Sequence, residues 1–367
     1  DGSSAAAGMK PDRRERFRDP EDGWLDLSNF LDERHGFVPL LHPITEPALG
    51  NGLLAAPIFI QPNDPASDGR MVRPNIGSVG GFYTEKESRG VFGVHSGRWK
   101  DGRVQTLAGV LDATLNLDFY GIGSELGPGP GLGPVDYSME ATGGVLEVRS
   151  QICDLPLMIG LRYLYAEVDA SFELALPPGV RRADLDSKLG GPSLIISYDT
   201  RDNIFTPNEG SLVELTGTFH DKVFGASSGH QRVDFVGSHY QPLGDKLVVG
   251  LRGDLNASFG DTPFYARPFV KLRGVPALRY QGEIATSLEA ELRWRFWKRF
   301  SLIAFGGIGL AGNDWNDLDP EDAVFAGGGG LRYELARRYG LHMGFDVGIS
   351  EEDTTVYITF GSAWMRP

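Results

Sequence analysis

From residue 37 onward, apolar and polar side chains alternate one for one through many short stretches of the chain. In the run 288–296 the two kinds separate completely, with Leu288, Ala290, Leu292, Trp294 and Phe296 on one face and Glu289, Glu291, Arg293 and Arg295 on the other. The same alternation recurs at 247–259, 331–335 and 341–350. A period of two predicts half-buried β-strands.

The chemistry of the polar face indicates which way these strands point. It carries Glu, Asp, Arg and Gly rather than the Lys, Thr and Ser of a water-facing sheet, and Arg supplies 27 of the 35 basic residues. A closed barrel in lipid places its apolar row outward and its polar row in the lumen. The planar guanidinium of Arg suits enclosed carboxylate networks. The pattern therefore predicts an all-β, transmembrane, antiparallel up-and-down β-barrel.

The connections between the predicted strands alternate between short and long, as in outer-membrane barrels. Fifteen strands can be placed between residues 51 and 364, and the stretch from Phe37 to Thr45 supplies a sixteenth, which puts both chain ends on the periplasmic side. We predict about 16 strands over 37–367, with 14 or 18 as near alternatives. Near the short turns stand the residues of an expected interfacial aromatic belt, Trp99, Trp294, Trp297 and Trp364.

Residues 1–36 form a separate and highly charged N-terminal extension. Ser28 is an acceptable N-cap for one short helix that stops at Gly36. The sequence leaves three interpretations of this segment open: a solvated tail, a short helix, or a plug for the barrel.

The overall composition narrows the classes of function. With 35 basic and 49 acidic residues the net charge is −14, which argues against a nucleic-acid partner. The one cysteine, Cys153, permits neither an internal disulfide nor a cysteine-based zinc site. The 50 glycines fit strands that curve and leave room for an inserted loop.

Few motifs suggest catalysis or a bound cofactor. Residues 225–229 match the G-x-S-x-G nucleophile elbow and His230 follows, but they join two predicted strands rather than a strand and a helix. The seven histidines show no metal-ligand spacing, and the acidic loop 314–322 lacks the EF-hand pattern. We expect no catalytic site, no metal and no cofactor, and a lipid hydrolase using Ser227 and His230 is the least favoured function.

One charged set is concentrated in the long predicted loop 260–284. Its cations are Arg267, Lys271, Arg273 and Arg279. The next strand presents Glu289 and Glu291 on its polar face. An arginine of a loop folded into the lumen would pair with one of these carboxylates at reduced dielectric. The alternative is a set of separate ion pairs within the strand wall.

An ordered series of motifs runs through 190–364. It consists of Tyr198-Asp199-Thr200-Arg201-Asp202-Asn203, Pro263-Phe264-Tyr265, Ser287-Leu288-Glu289, Ala304-Phe305, Gly330-Leu331-Arg332-Tyr333 and Thr359-Phe360-Gly361-Ser362-Ala363-Trp364. The series resembles the C-terminal barrel of the BamA/TamA superfamily, the bacterial surface antigen type. The resemblance implies a 16-stranded outer-membrane barrel whose sixth outer loop enters the lumen through an Arg-Gly-aromatic motif and meets acidic residues on the following strands.

Two positions of this sequence match the family's lumenal arginine. Arg273-Gly274 is the literal Arg-Gly pair, whereas the spacing from Pro263 favours Arg279-Tyr280. By resemblance we assign the role to Arg279 first and Arg273 second, with Glu289 or Glu291 as the partner. An Asp common in the family is replaced here by Gly307. Because Arg279→Ala would leave a lumenal Glu289 or Glu291 without its cation, we expect it to destabilise the barrel more than Arg273→Ala does.

The resemblance also implies a function in membrane-protein assembly or polypeptide translocation. Family members that insert barrels carry periplasmic POTRA domains, and residues 1–36 are too few for one, so we expect a barrel-only form. It would act as an insertase-like or translocation component, or as the membrane subunit of a larger complex. The alternative is a plugged pore or a scaffold barrel.

The expected mechanism uses a weak seam between the first strand, Phe37 to Thr45, and the closing strand, which runs from Thr354 through Gly361 to Trp364. Without POTRA domains, substrate capture would come from the edge of the first strand or from another chain, or would not occur. The expected surroundings are outer-membrane lipid and lipopolysaccharide, and periplasmic or membrane partner proteins are left open.

Overall fold

The alternating segments form a single antiparallel sheet in which each strand pairs with the next one in the chain. The computed structural model describes residues 17–32, 36–61, 63–64, 74–122, 134–173, 176–351 and 353–364. The strands are β1 Gly36–Ile44, β2 Gly52–Gln61, β3 Asn75–Thr84, β4 Arg89–Trp99, β5 Val104–Phe119, β6 Val135–Gln151, β7 Leu157–Phe172, β8 Asp186–Asp199, β9 Gly210–His220, β10 His230–Pro242, β11 Leu247–Gly260, β12 Ile284–Trp297, β13 Phe300–Gly312, β14 Val324–Ala336, β15 Leu341–Ser350 and β16 Thr354–Phe360. The predicted barrel of 16 strands is confirmed.

The faces of the strands follow the alternation of the sequence. On β12 the side chains of Leu288 and Leu292 are 56% and 40% exposed, whereas Glu289 and Glu291 are 3% and 6% exposed. The apolar row therefore faces outward and the ionic row faces the lumen, which is the arrangement of a barrel in lipid.

The even strand number places both ends of the sheet at one rim. This short-turn rim carries the turns at 298–299 and 337–340, and the opposite long-loop rim carries 45–51, 261–283 and 313–323. Three predicted aromatic-belt residues, Trp99, Trp294 and Trp297, are 49% exposed. Trp364 is 6% exposed and points into the barrel, so its assignment to the outer belt is wrong.

Three strand boundaries differ by four residues or more from the limits that the alternation predicts, which are 139 for the start of β6, 192 for the start of β8 and 364 for the end of β16. β6 begins at Val135. β8 begins at Asp186 and not at 192, because Asp186 and Ser187 continue the pairing with Asp169 and Val168 of β7. β16 ends at Phe360 and not at 364, because Gly361 takes the left-handed φ of +81° and turns the chain into the lumen.

The N-terminal extension includes the predicted short helix, α1, at Ser28–Asp32. Its described residues contact the end of β14 at the short-turn rim: the Leu27 N–H donates to the Leu335 carbonyl at 2.8 Å, and the Tyr333 hydroxyl donates to the Leu25 carbonyl at 2.7 Å. Trp24 packs edge-on against Trp297 at 5.1 Å between ring centroids. No helix in the described ranges is long and apolar enough to cross a membrane.

Candidate functional site

The loop 261–283 between β11 and β12, called the lumen loop below, enters the barrel from the long-loop rim. Phe264 is 1% exposed and packs edge-on against Phe119 and Tyr137, with Phe172 alongside, at ring-centroid distances of 5.5–5.8 Å. The loop returns close to itself, since the Val270 N–H donates to the Tyr280 carbonyl at 3.0 Å. An aromatic anchor therefore fixes the base of the loop.

Glycines in the barrel wall make room for the lumen loop. A Cβ on Gly307 would lie 2.7 Å from Cδ2 of Leu272, and one on Gly348 would lie 2.7 Å from the backbone nitrogen of Gly274. Side chains at these positions would collide with the loop. Gly307, where the family pattern led us to expect an acidic partner, instead provides space for Leu272.

Arg273 places its guanidinium among three buried carboxylates. Its Nη2 lies 2.6 Å from Oε1 of Glu289, and its Nη1 lies 2.8 Å from Oε2 of Glu291 and 3.1 Å from Oδ2 of Asp346. The guanidinium carbon also lies 3.8 Å from the ring centroid of Phe305. These residues, called the Arg273 cluster below, tie the loop to β12 and β15 through charge-assisted bonds.

Gly274 brings the tip of the loop against the last two strands. Its φ is +98°, its N–H donates to the Tyr357 hydroxyl at 2.9 Å, and its carbonyl accepts from the Ser350 hydroxyl at 2.8 Å. Glycine adopts this left-handed conformation without strain. The tip is thus bonded to β15 and β16.

We ranked Arg279 before Arg273 as the arginine that meets the lumenal carboxylates, and the structure shows that this order is wrong. The Arg279 guanidinium lies 4.4 Å from the ring centroid of Tyr120 beside the long-loop rim, with Tyr280 at 5.9 Å. Arg273 and not Arg279 meets Glu289 and Glu291. A count of residues from Pro263 does not take the turn at 264–266 into account. Only Arg273 is followed by a glycine, which the close approach of the loop tip to β15 requires.

The sequence interpretation missed Asp346, Tyr357 and Arg332 as parts of this site. Asp346 is fully buried and receives Arg332 at 2.6 Å as well as Arg273. The alternation at 341–350 had already placed Asp346 on the polar face, so the signal was present. Tyr357 carries no such signal, because its role depends on where the loop tip arrives.

The C-terminal segment after β16 joins the Arg273 cluster, since the ring centroid of Trp364 lies 5.7 Å from the guanidinium carbon of Arg273. The Ser362 N–H donates to the Phe205 carbonyl, and the ring of Trp364 lies 5.7 Å from that of Tyr240. Gly361 and Trp364, which we assigned to the seam, therefore lie beyond its strand. Thr45 likewise follows the end of β1 at Ile44.

The seam is the boundary between β1 and β16. Every other neighbouring pair of described strands is hydrogen-bonded, but no ladder joins these two. The rings of His42 and Phe360 lie 5.6 Å apart across it. A cavity of about 430 Å³ opens beside the seam, lined by His42, Glu46, Arg252, Tyr357 and Phe360 among others. The strand edges Phe37 and Thr354 belong to this boundary.

The lumen loop also reaches the β1 side of the seam. The Ala277 N–H donates to Oε1 of Glu46, in the connection between β1 and β2, at 3.0 Å. Burial raises the pKa of the Glu46 carboxyl. Because Gly274 contacts β16, one loop contacts both sides of the seam.

A second charged cluster, called the extension clasp below, lies at the short-turn rim. Arg299 is 1% exposed, and its guanidinium lies 2.5 Å from Asp19, 2.7 Å from Asp22 and 2.7 Å from Asp26. The hydrogen bond from Arg299 lowers the pKa of Asp22. At Asp26 burial opposes ionisation, but hydrogen bonds from Ser28 and Arg299 lower the pKa overall.

The G-x-S-x-G motif lies at the long-loop rim without the geometry of a nucleophile elbow. The Ser227 hydroxyl accepts the Lys188 N–H at 2.9 Å, while His230 stacks on His220 with ring centroids 4.2 Å apart. No hydrogen bond joins Ser227 to His230 in the described part of the chain. Among the same residues no group of three or more His, Cys, Asp or Glu could hold a metal ion.

Comparison with known proteins agrees with the fold and the motif series. Residues 167–273 match the Omp85 superfamily domain, which confirms the resemblance to this group of barrels. The comparison with curated proteins finds no match.

Three solved structures share the fold. BamA from Haemophilus ducreyi lacking POTRA domains 1–3 is 14% identical, with a TM-score of 0.55, and the match covers 95% of this chain and 80% of that one. CdiB from Acinetobacter baumannii is 12% identical, with a TM-score of 0.57, over 89% of this chain and 59% of that one. CdiB from Escherichia coli is 12% identical, with a TM-score of 0.61, over 94% and 65%. The chain thus spans less than two thirds of either CdiB chain.

Proposed function

We propose that this Omp85-type barrel resides in the outer membrane with both termini in the periplasm. There it would act as an assembly or translocation barrel, either by itself or as the membrane subunit of a larger complex. The observation that carries the proposal is the unpaired boundary between β1 and β16. Unpaired strand edges present backbone donors and acceptors that can template another strand.

The lumen loop gives this boundary a means of control. Its tip bonds to Tyr357 of β16, and its return segment bonds to Glu46 next to β1. A seam that widens must stretch or break one of these two contacts. The Arg273 cluster holds the tip in place on the β16 side, so we expect opening to release Glu46 from Ala277.

The test is insertion of a urea-unfolded outer-membrane barrel protein into liposomes that contain this protein. A thiol bridge between His42→Cys and Phe360→Cys, in a Cys153→Ser background, would lock the seam. We expect the parent to insert the client faster than empty liposomes do, and the bridged variant to match empty liposomes. Reduction of the bridge restores the rate.

The matched control places the same bridge where no seam exists. Leu302 and Leu331 are paired neighbours on β13 and β14, so cysteines there crosslink an intact ladder and should leave insertion unchanged. Full activity in the seam-locked protein would reject the proposal.

The second candidate is a plugged pore or a scaffold barrel without insertase activity. It is favoured by the loop inside the lumen and by a further cavity of about 690 Å³ lined by Glu147, Arg149, Glu214 and Arg232 among others. Single-channel conductance of the full chain, of a 1–36 deletion and of Arg273→Ala tests this candidate. An inactive barrel whose conductance rises on loop release would be a plugged pore.

We infer no catalytic activity. The hydrolase alternative depends on Ser227 and His230, but the His230 ring stacks on His220 and the Ser227 hydroxyl accepts the Lys188 N–H. Unchanged behaviour of Ser227→Ala in a lipid-hydrolysis assay would agree with this inference, and lost turnover would overturn it.

A further inference from the structure

The two strand edges at the seam differ in their hydrogen-bonding capacity. In an antiparallel ladder, successive residues direct their backbone N–H and C=O toward alternate neighbours. The Glu85 N–H donates to the Asn51 carbonyl at 2.7 Å, in register with the β2–β3 pairing, so odd-numbered residues of β2 face β3. Even-numbered residues of β2 therefore face β1, where they pair with even-numbered residues. The odd-numbered residues of β1 consequently face the seam.

Prolines occupy two of these seam-facing positions on β1. The four positions are Phe37, Pro39, Leu41 and Pro43. Proline has no backbone N–H, so this edge offers donors only at Phe37 and Leu41. Pro57 of β2, which pairs with Pro39, supports this assignment. Its carbonyl points toward β3, where it accepts the Ser78 hydroxyl at 3.0 Å, so Pro39 points the opposite way, toward the seam.

The edge of β16 retains nearly all its donors. The Gly361 N–H donates to the His342 carbonyl and the Ser350 N–H to the Asp353 carbonyl, so odd-numbered residues face β15. The seam-facing residues are Thr354, Val356, Ile358 and Phe360. The Thr354 N–H is taken by the Asp353 carboxylate. Val356, Ile358 and Phe360 present three consecutive N–H groups, together with carbonyls, to the seam.

We propose that β16, and not β1, is the edge that captures an incoming β-strand of a client polypeptide; this inference rests on the proposed function. An unbroken client strand supplies a donor and an acceptor at every seam-facing position, whereas β1 supplies half the donors. The client strand therefore gains hydrogen bonds that β1 cannot make and displaces it.

The side chains of β16 set the pattern that the client must have. Val356 is 47% exposed on the outer face, whereas Thr355 is buried toward the lumen and Tyr357 bonds to the lumen loop. A partner strand packs on both faces at once. The fitting occupant alternates apolar and polar side chains, as the membrane strand of another barrel does.

The test uses the full chain in detergent micelles and one defined probe. The probe is a synthetic peptide with the sequence of residues 284–297, which is free of proline and alternates apolar and polar side chains over 288–296, with a photoreactive leucine at the position of Leu288. After irradiation, mass spectrometry identifies the labelled segment. We expect label on 354–360 and background label on 36–44.

Two matched variants each remove one seam-facing N–H without removing a bond to the neighbouring strand. Ile358→Pro acts on β16, and Leu41→Pro acts on β1. We expect Ile358→Pro to lower labelling at least about tenfold and Leu41→Pro to leave it within about twofold. Label on 36–44, loss of label in Leu41→Pro, or full labelling in Ile358→Pro would each overturn the inference.

A third variant keeps the inference testable if Ile358→Pro does not fold. Pro39→Val with Pro43→Val returns two donors to β1, so β1 should pair with β16 and exclude the probe. Unchanged labelling in this variant would overturn the inference. Because the readout is strand pairing and not insertion, labelled β16 in a protein that inserts no client would reject the proposed function while the edge assignment stands.

Discussion

The indole Nε1 of Trp364 donates to Oε1 of Glu289 at 2.6 Å, the same oxygen that receives Nη2 of Arg273. One carboxylate on β12 therefore holds both the tip of the lumen loop and the C-terminal segment. Loss of either donor leaves Glu289 buried with fewer partners, which is costly for a charged group.

Trp364→Phe should weaken the C-terminal attachment while the ring packing remains. We expect a loss of about 1.5–3 kcal/mol, the range for a hydrogen bond to a charged group. The measurement is the temperature at which the folded barrel loses its compact mobility in gel electrophoresis. Trp315→Phe, at a side chain 57% exposed in a long-rim loop, serves as the control and should leave that temperature unchanged.

Arg273→Ala should destabilise the barrel more than Arg279→Ala, the reverse of the order that the motif spacing favours. Removal of Arg273 leaves Glu289, Glu291 and Asp346 without their shared cation, at a cost of about 3–5 kcal/mol. The stacking of Arg279 on Tyr120 is worth about 0.5–1 kcal/mol. Thermal unfolding in detergent measures both, and equal shifts would contradict the geometry.

Gly274→Ala should unseat the tip of the lumen loop. Its Cβ would combine a left-handed φ with an approach of 2.9 Å to the Ile349 backbone nitrogen, and we expect a loss above about 1–3 kcal/mol. Gly244→Ala is the matched control, because Gly244 also has a positive φ but has no atom within 4 Å of the added Cβ. Protease cleavage within 261–283 reports the release. If protease cleaves the two variants to a similar extent, the effect arises from the positive φ alone and not from the approach of the added Cβ to Ile349.

Acid should detach the N-terminal extension from the rim. In the folded protein the pKa of Asp22 is lowered by Arg299, and that of Asp26 is lowered by Ser28 and Arg299 against the effect of burial. The stabilising contribution of both carboxylates is therefore present above the ordinary value of 3.8 and is lost as the pH falls through the lowered values. Limited proteolysis of 17–32 with an acid-active protease, as the pH is lowered below about 4, measures the release.

Arg299→Ala should expose the extension to proteolysis at neutral pH as well, while the barrel stays folded. Arg103→Ala is its control, since Arg103 also pairs with an aspartate in a short-turn region, Asp154, but both side chains are largely exposed. An extension that stays protected in Arg299→Ala would show that the aromatic contact of Trp24 suffices.

The wall of the barrel could be predicted because its information is local. Along β12 the polarity of each residue predicts whether its side chain faces outward or into the lumen, and the same holds for Asp346 on β15. The start of β8 was hidden because Gly190, Gly191 and Pro192 interrupt the alternation, although the pairing with β7 continues through them.

The contacts made inside the lumen could not be predicted from the alternation of apolar and polar residues. The choice between Arg273 and Arg279 depends on how far the loop travels before it meets β15, and that distance is set by packing at Phe264 and by the space at Gly307 and Gly348. The position of Trp364 depends similarly on the turn at Gly361. Such properties arise from contacts between distant segments, which a pattern of period two does not contain.

The extension clasp constrains the order in which the molecule folds. Arg299 bonds to Asp22 across 277 positions of the chain, so its docking site does not exist until the turn between β12 and β13 has formed. Contacts of such long sequence separation form slowly, because closing the intervening chain costs entropy before any contact is gained. The extension, although it precedes β1 in the chain, is therefore among the last segments to reach its final position, and its protection from protease marks completion of the barrel.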